Sequence, residues 1–241
     1  MLYNILAIGD VVGGCGASCL EHHLRAVKKL KNIHFTVVNG ENAAMVGLTP
    51  NDAERIFSAG ADVITLGNHT FGKMQITDYL DDCPYILRPH NLGARVPGRG
   101  YGVFDCGRAR IAVMNLIGRC DLAFHADNPF KTADELLKSG EKPTFTLLDF
   151  HAEATSEKLA MAYYLDGRVS AIWGTHTHVP TADEEVFPKG TGYLTDLGMT
   201  GAVRSVLGIK PEQSVETFLG GLPGRYREPE KSAGQMQGAI F

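Results

Sequence analysis

The chain predicts an α/β fold of mixed sheets, and three observations lead there. In the first third, strand-length apolar runs alternate with helical periodicity, the pattern of parallel strands joined by helical crossovers. Near the middle, two apolar runs separated by Cys106-Gly107-Arg108 read as a hairpin, so antiparallel strands join the parallel ones. Finally, five apolar runs end beside Asp, Glu, Asn or His, and strand carboxyl ends are where open α/β sheets build their sites.

Taken in order, Ile5-Leu6-Ala7-Ile8 form a strand that runs into Gly9-Asp10. Cys19, Leu20, Leu24, Val27 and Leu30 then recur at helical spacing, and Lys28, Lys29 and Lys31 complement the negative end of that helix. Phe35-Thr36-Val37-Val38 lead into Asn39-Gly40-Glu41-Asn42. Thr49-Pro50-Asn51-Asp52 reads as an N-cap, a proline at the first helical position and an acidic first turn, with Gly60 closing the helix. Val63-Ile64-Thr65-Leu66 lead into Gly67-Asn68-His69. The hairpin pairs Tyr101 to Asp105 with Ala109 to Leu116, and later helices are expected at Thr132 to Leu137 and Ser156 to Leu165. Between them, Phe145 to Phe150 deliver His151 and then Glu153. Val169 to Trp173 end in Gly174-Thr175-His176-Thr177-His178-Val179. The residues after Leu219 read as a Gly/Pro-rich tail, wandering or packed on a partner.

Residues i and i+2 of an extended segment point to one side, so His176 and His178 leave their strand end together and can reach neighbouring metal positions. Each strand end also has a bland reading: Asp10 as a helix cap, Asn42 as a turn residue, Asn68 in an Asx-turn, His151 as a satisfied core histidine. Five such deliveries in one chain favour a shared site. Gly13-Gly14-Cys15-Gly16-Ala17-Ser18-Cys19 invites comparison with a dinucleotide-binding turn, but the third glycine of Gly-x-Gly-x-x-Gly would fall on Cys19. These glycines are instead expected to clear space around a metal and a phosphate.

Composition sets outer bounds. With 241 residues, 44% hydrophobic and 21% charged, the chain can bury one sizeable core, and residues 1–241 are expected to form a single domain. A formal charge of -4 without a basic run argues against a dedicated nucleic-acid surface. The five cysteines fall at irregular positions, fit neither a disulfide framework nor a zinc ribbon, and leave oxygen and imidazole as the metal donors. The amino-terminal apolar stretch is short and ends in Gly9-Asp10, and no run approaches a membrane span, so no membrane partner is expected and the cytoplasm is the expected location. The sequence leaves homo-oligomer formation open.

The order Gly9-Asp10, Gly40-Glu41-Asn42, Gly67-Asn68-His69, an isolated His151 and Gly174-Thr175-His176-Thr177-His178 resembles the calcineurin-like metallophosphoesterase superfamily. Gly9-Asp10-Val11-Val12-Gly13, Asn39-Gly40-Glu41-Asn42-Ala43, His151-Ala152-Glu153-Ala154-Thr155-Ser156-Glu157-Lys158 and Gly174-Thr175-His176-Thr177-His178-Val179 resemble its bacterial YmdB-like branch of cyclic-nucleotide phosphodiesterases. The likeness runs from residue 4 to about residue 204. It implies an α/β/β/α sandwich of two mixed sheets flanked by helices, and two divalent or trivalent metal ions per chain, manganese or iron before magnesium or zinc. Asp10, Glu41, Asn42 and His178 would hold one ion, and Glu41, Asn68, His151 and His176 the other, with Glu41 bridging. It further implies hydrolysis of phosphodiesters, 2′,3′-cyclic nucleotides among them, by a metal-activated water, with His69 as general acid. Glu153 would orient His151 or another ligand. Two departures stand out against the wider superfamily, Val12 in place of a histidine and Glu41 in place of a bridging aspartate, both normal for the branch. Within the branch, Thr70-Phe71-Gly72 stands where Thr-Trp-Asp is expected. A phosphomonoesterase or nucleotidase using the same metals is the enzymatic alternative, and a metal-stabilised nucleotide-binding regulator that turns nothing over is the other.

Overall fold

Side-chain alternation along the first strand sets up the layers of the molecule. In β1 (Asn4–Ile8), Leu6 and Ile8 join a buried cluster beneath helices, whereas Ile5 and Ala7 join a second cluster that reaches the other sheet. The computed structural model describes residues 2–122, 125–138, 142–222 and 224–241. After the two-residue β2 (Asp10–Val11) come α1 (Gly13–Leu30), β3 (Ile33–Asn39), α2 (Pro50–Ala59), β4 (Val63–Thr65), α3 (Ile76–Asp82) and β5 (Ile86–Leu87). Strands β1, β3, β4 and β5 pair in parallel in that order, as strand-helix alternation requires.

The second sheet opens with the hairpin β6 (Tyr101–Asp105) and β7 (Arg110–Ile117), in register from Tyr101 opposite Met114 to Asp105 opposite Arg110. Helix α4 (Pro129–Leu137), β8 (Phe145–His151), α5 (Thr155–Leu165) and β9 (Ala171–Thr175) follow, with β7, β8 and β9 parallel neighbours. Short β10 (Glu185–Val186) and β11 (Gly192–Leu194) complete this six-stranded sheet on the far side of β9. The clusters stack in sequence. One lies between the first sheet and α1, α2 and α3, one between the sheets around Phe35, Ile111, Leu147 and Trp173, and one between the second sheet and α4 and α5. This is the expected α/β/β/α sandwich.

Local chemistry sets the helix ends. Thr49 Oγ1 accepts from Asp52 N at 3.2 Å, Pro50 starts α2, and Gly60 ends it with φ 121°. Helix α4 starts three residues earlier than the sequence suggests, because Asn128 accepts from Phe130 N and Lys131 N and Pro129 takes the first helical position. In α1, Leu20 and Leu24 are fully buried, but Leu30 is 79% exposed, since the core ends before the helix does.

Two expectations need correction. The segment after Leu219 does not wander; its end is built into the chain's own sheets. After β12 (Met199–Ala202) and α6 (Pro211–Phe218), it forms β13 (Gly234–Gln235), which pairs with β12, and β14 (Gly238–Ile240), which adds an antiparallel edge strand to β1. Phe241 exchanges two 2.9 Å backbone hydrogen bonds with Ile5 and sets its ring 5.5 Å from Trp173, tilted by 31°. Nor do the glycines opening α1 make room for a metal and a phosphate. A Cβ at Gly16 would lie 2.3 Å from Thr200 O in β12, and one at Gly13, 2.6 Å from Glu228 Oε2. Val12 provides no side-chain cap for α1; Glu228, 214 residues beyond Gly14, accepts from Gly14 N and Cys15 N.

Candidate metal centre

All five strand ends converge at one edge of the sandwich. Asp10 starts β2, Glu41 and Asn42 follow β3, Asn68 and His69 follow β4, His151 ends β8, and His176 and His178 follow β9. The centre of the group is Glu41, fully buried, with Oε1 at 3.1 Å from His151 Nε2 and 3.1 Å from Asn42 Nδ2. On one side, His151 Nε2 also lies 2.9 Å from Asn68 Oδ1 and 3.1 Å from His176 Nδ1. On the other, His178 Nε2 lies 3.2 Å from Asn42 Nδ2 and 3.7 Å from Asp10 Oδ1. Donors of Glu41, His151 and His176 all fall within 4.8 Å of one another.

The second nitrogen of each imidazole fixes what the first can do. Thr175 Oγ1 donates to Asp149 Oδ1 at 2.7 Å, so toward His151 Nδ1, 2.9 Å away, it can only accept. His151 therefore carries a proton on Nδ1 and turns Nε2 inward. His178 Nδ1 donates to Leu207 O at 3.1 Å, so Nε2 faces inward, and His176 Nε2 donates to Glu153 Oε2 at 3.0 Å, so Nδ1 faces inward. Three ring nitrogens thus face a common space, the orientation that outer hydrogen bonds give to metal-binding histidines.

Charge is unbalanced there in a way a cation would correct. Asp10 Oδ1 is buried without a hydrogen-bond partner, while Oδ2 accepts from His176 N at 3.1 Å. Burial alone would raise the Asp10 and Glu41 carboxyls; the imidazoles of His178 and His151 outweigh it and hold both below their usual range. For His151 burial works downward, but Glu41 pushes it up to about 9. Burial and the neighbouring His151 push His176 down to about 4. Absence of a side chain at Gly67 keeps the space open, since a Cβ would sit 2.3 Å from both Glu41 Oε2 and His151 Nε2. Oxygen and imidazole donors, an orphaned carboxylate oxygen and a glycine cradle fit metal ions.

His69 touches the group at its edge. Its backbone N–H donates to Glu41 Oε2 at 3.1 Å, its Nε2 lies 3.3 Å from Asn68 Nδ2, and its half-buried ring lines a cavity of about 320 Å³ with Glu41, Asn42, His176 and His178. Glu153 engages His176 rather than His151. Gly72 packs against Gly47, where a Cβ would be 3.2 Å from Gly47 N, and donates its N–H to His69 O at 2.8 Å, so the turn holding His69 closes without a carboxylate.

Sequence reasoning missed the supports. Asp149, pushed up to about 6 by burial, also accepts from Thr65 Oγ1 and Asn39 Nδ2. Its place two residues before His151 in an apolar strand is the signal that would have found it. Lys158 and Asp196, each 1% exposed, form a 2.7 Å ion pair, and Asp196 Oδ2 also accepts from Thr177 N and Oγ1. That network pins the residue between His176 and His178, which hold φ 102° and 63°. A roomier cavity of about 1050 Å³ along β14 brings together only Glu184 and Glu185 as acidic groups and no histidine.

The comparisons place these residues in a family. A family model described as YmdB-like protein matches residues 6–241. A Bacillus subtilis (strain 168) protein named 2′,3′-cyclic-nucleotide 2′-phosphodiesterase is 46% identical over 229 residues, covering 94% of this chain and 86% of that one. Among solved structures, a Mycoplasma pneumoniae protein described as a novel phosphatase superposes with TM-score 0.91 at 35% identity, over 99% of this chain and 87% of the other. A Thermus thermophilus protein described as hypothetical superposes with TM-score 0.88 at 34% identity, over 99% and 98%.

Proposed function

Because the chain belongs to the YmdB-like family, we propose that it is a dinuclear metal-dependent phosphodiesterase acting on phosphodiesters, with 2′,3′-cyclic nucleotides as its substrate class. In this reading residues 1–241 carry one metallophosphoesterase domain. The observation that carries the proposal is the set of three imidazole ring nitrogens turned toward two buried carboxylates. Asp10, Glu41, Asn42 and His178 would hold one ion and Glu41, Asn68, His151 and His176 the other, a reading supported by the contacts of Glu41 Oε1 with His151 and Asn42. Asn42, which now gives its NH₂ to Glu41 and His178, would turn its amide oxygen inward. Thiols take no part, so the donor set suits manganese or iron, with magnesium and zinc as competitors.

When bound, such ions supply positive charge to the phosphoryl oxygens and lower the pKa of a nucleophilic water. The remaining steps fall to the protein. Asp149, Thr175, Glu153 and the Leu207 carbonyl keep each imidazole in its metal-binding tautomer. His69, whose ring faces the cavity without a carboxylate partner among the described residues, gives a proton to the departing ribose oxygen. No helix among the described residues is long and apolar enough to cross a membrane, and the cavity opens to a small-molecule ester.

Manganese-replete protein should contain up to two ions per chain by elemental analysis, and should cleave bis(p-nitrophenyl) phosphate faster than p-nitrophenyl phosphate. Comparable or reversed rates would make it a phosphomonoesterase. Bound metal with neither ester cleaved would leave a nucleotide-binding regulator.

A further inference from the structure

The metal centre accounts for only part of its cavity. Met45, Val46, Leu207, Ile209 and Tyr226 line the same space, and none has a role in holding an ion. They come from three separate segments: the loop after β3, the turn after β12 and the residues following α6. Two of them are held in a costly backbone conformation. Among the described residues, six non-glycine positions have positive φ, and four of those, Met45, His176, His178 and Leu207, line this cavity. The histidines need it for the site. Leu207 (φ 53°) and Gly208 (φ 94°) form a two-residue turn closed by Val206 and Ile209, a setting that favours asparagine at the leucine position. The Leu207 carbonyl accepts the His178 Nδ1 hydrogen bond, which any residue's could do, so the leucine side chain is left to face the cavity.

Tyr226 is fixed by its neighbours rather than by its ring. The Gln213 side chain donates to Arg225 O at 2.8 Å and accepts from Arg227 N at 3.1 Å, and Glu228 anchors the next residue on α1. The ring is left 55% exposed at the cavity. We infer that Tyr226, with Met45, Val46, Leu207 and Ile209, forms the subsite for the nucleobase of the substrate, gripping it by stacking and apolar contact. The inference rests on the phosphodiester reading above and extends it. The five side chains carry a single hydroxyl, and every base presents a π-face, so the subsite is tolerant of base identity. Continuity with the metal centre makes the occupant part of the ester being cleaved.

The test compares adenosine 2′,3′-cyclic phosphate with 1-O-methylribose 2′,3′-cyclic phosphate, which lacks the base. With the unsubstituted enzyme, the adenosine ester should show a KM about tenfold lower at similar kcat, and the four common bases should give KM values within about tenfold of one another. Tyr226→Ala should raise KM for the adenosine ester to that of the abasic one and leave the abasic kinetics unchanged, while Tyr226→Phe keeps the preference. An equal effect of Tyr226→Ala on both esters, no effect on either, or a preference of more than about 100-fold for one base would overturn the subsite. If the unsubstituted enzyme cleaves neither cyclic ester but does cleave a monoester, the phosphodiester reading fails, and the subsite with it.

Discussion

The cavity has two halves built on opposite principles. Its polar half consists of groups such as Asp10, Glu41 and His151, each fully buried and each fixed by a further residue behind it. Its apolar half is carried on a tight turn, a loop and the segment after α6, and Leu207 and Tyr226 remain 44% and 55% exposed. Chemistry on a phosphoryl group needs charges held still, because a preorganised field loses nothing to reorganisation. A base that arrives and leaves needs a surface kept open, and that surface is bought with backbone strain at Met45 and Leu207. The polar half should therefore fail sharply when altered, and the apolar half gently.

The sharpest failure is expected at the shared carboxylate. Glu41→Gln should remove stoichiometric metal and bring diester hydrolysis to background; a variant that keeps two ions by elemental analysis would sink the shared-site arrangement. His69→Gln should retain both ions yet slow an ester with an alkoxide leaving group by about 10²- to 10⁴-fold, with much less effect on a nitrophenolate, which departs without a proton. Metal loss with equal slowing on both would make His69 a ligand instead.

Behind the ligands the expected effects shrink. Lys158→Met leaves Asp196 charged and unpaired in the interior, so manganese affinity should fall about 10- to 100-fold, with stability down by about 3–5 kcal/mol. The double variant Lys158→Met/Asp196→Asn should regain most of the stability, as read by denaturant unfolding. If Lys158→Met binds manganese normally, the pair does not position the histidines.

The smallest change belongs to the rim, and its sign is opposite. Leu207→Asn puts a residue suited to positive φ in the turn while keeping the carbonyl that His178 uses. Thermal midpoint should rise by about 2–4 °C, as expected for relief of about 1 kcal/mol in a chain of this size. KM for a cyclic nucleotide should rise only severalfold, with metal content unchanged. A drop in stability would show that Leu207 is a packing residue and erase the contrast between the halves.

The strand ends were legible because their signals are local. Apolar runs ending in Gly9-Asp10, Gly67-Asn68-His69 and Gly174-Thr175-His176 carry both the strand and the donor types within a few residues. Glu153 was noticed but assigned no definite partner, because only the fold brings it to His176. The opening glycines of α1 mislead for a related reason. Glycine reports that something approaches closely, not what, and here the visitors are Thr200 and Glu228 from far along the chain. Strand β14 escaped notice because three residues that pair through their backbone leave almost no hydrophobic pattern.

By itself, the sequence determined the alternating elements, the family likeness and the donor types, since period, capping and motif order are properties of neighbouring residues. Tertiary structure alone decided the orientation and hydrogen-bond partner of each histidine, the burial that leaves Asp10 Oδ1 without a partner, and the meeting of Met45, Leu207 and Tyr226 at one cavity. Those depend on groups separated by tens to more than a hundred residues, such as Asn42 and His178, and a hydrogen bond or a shared wall between them exists only once the two sheets have packed.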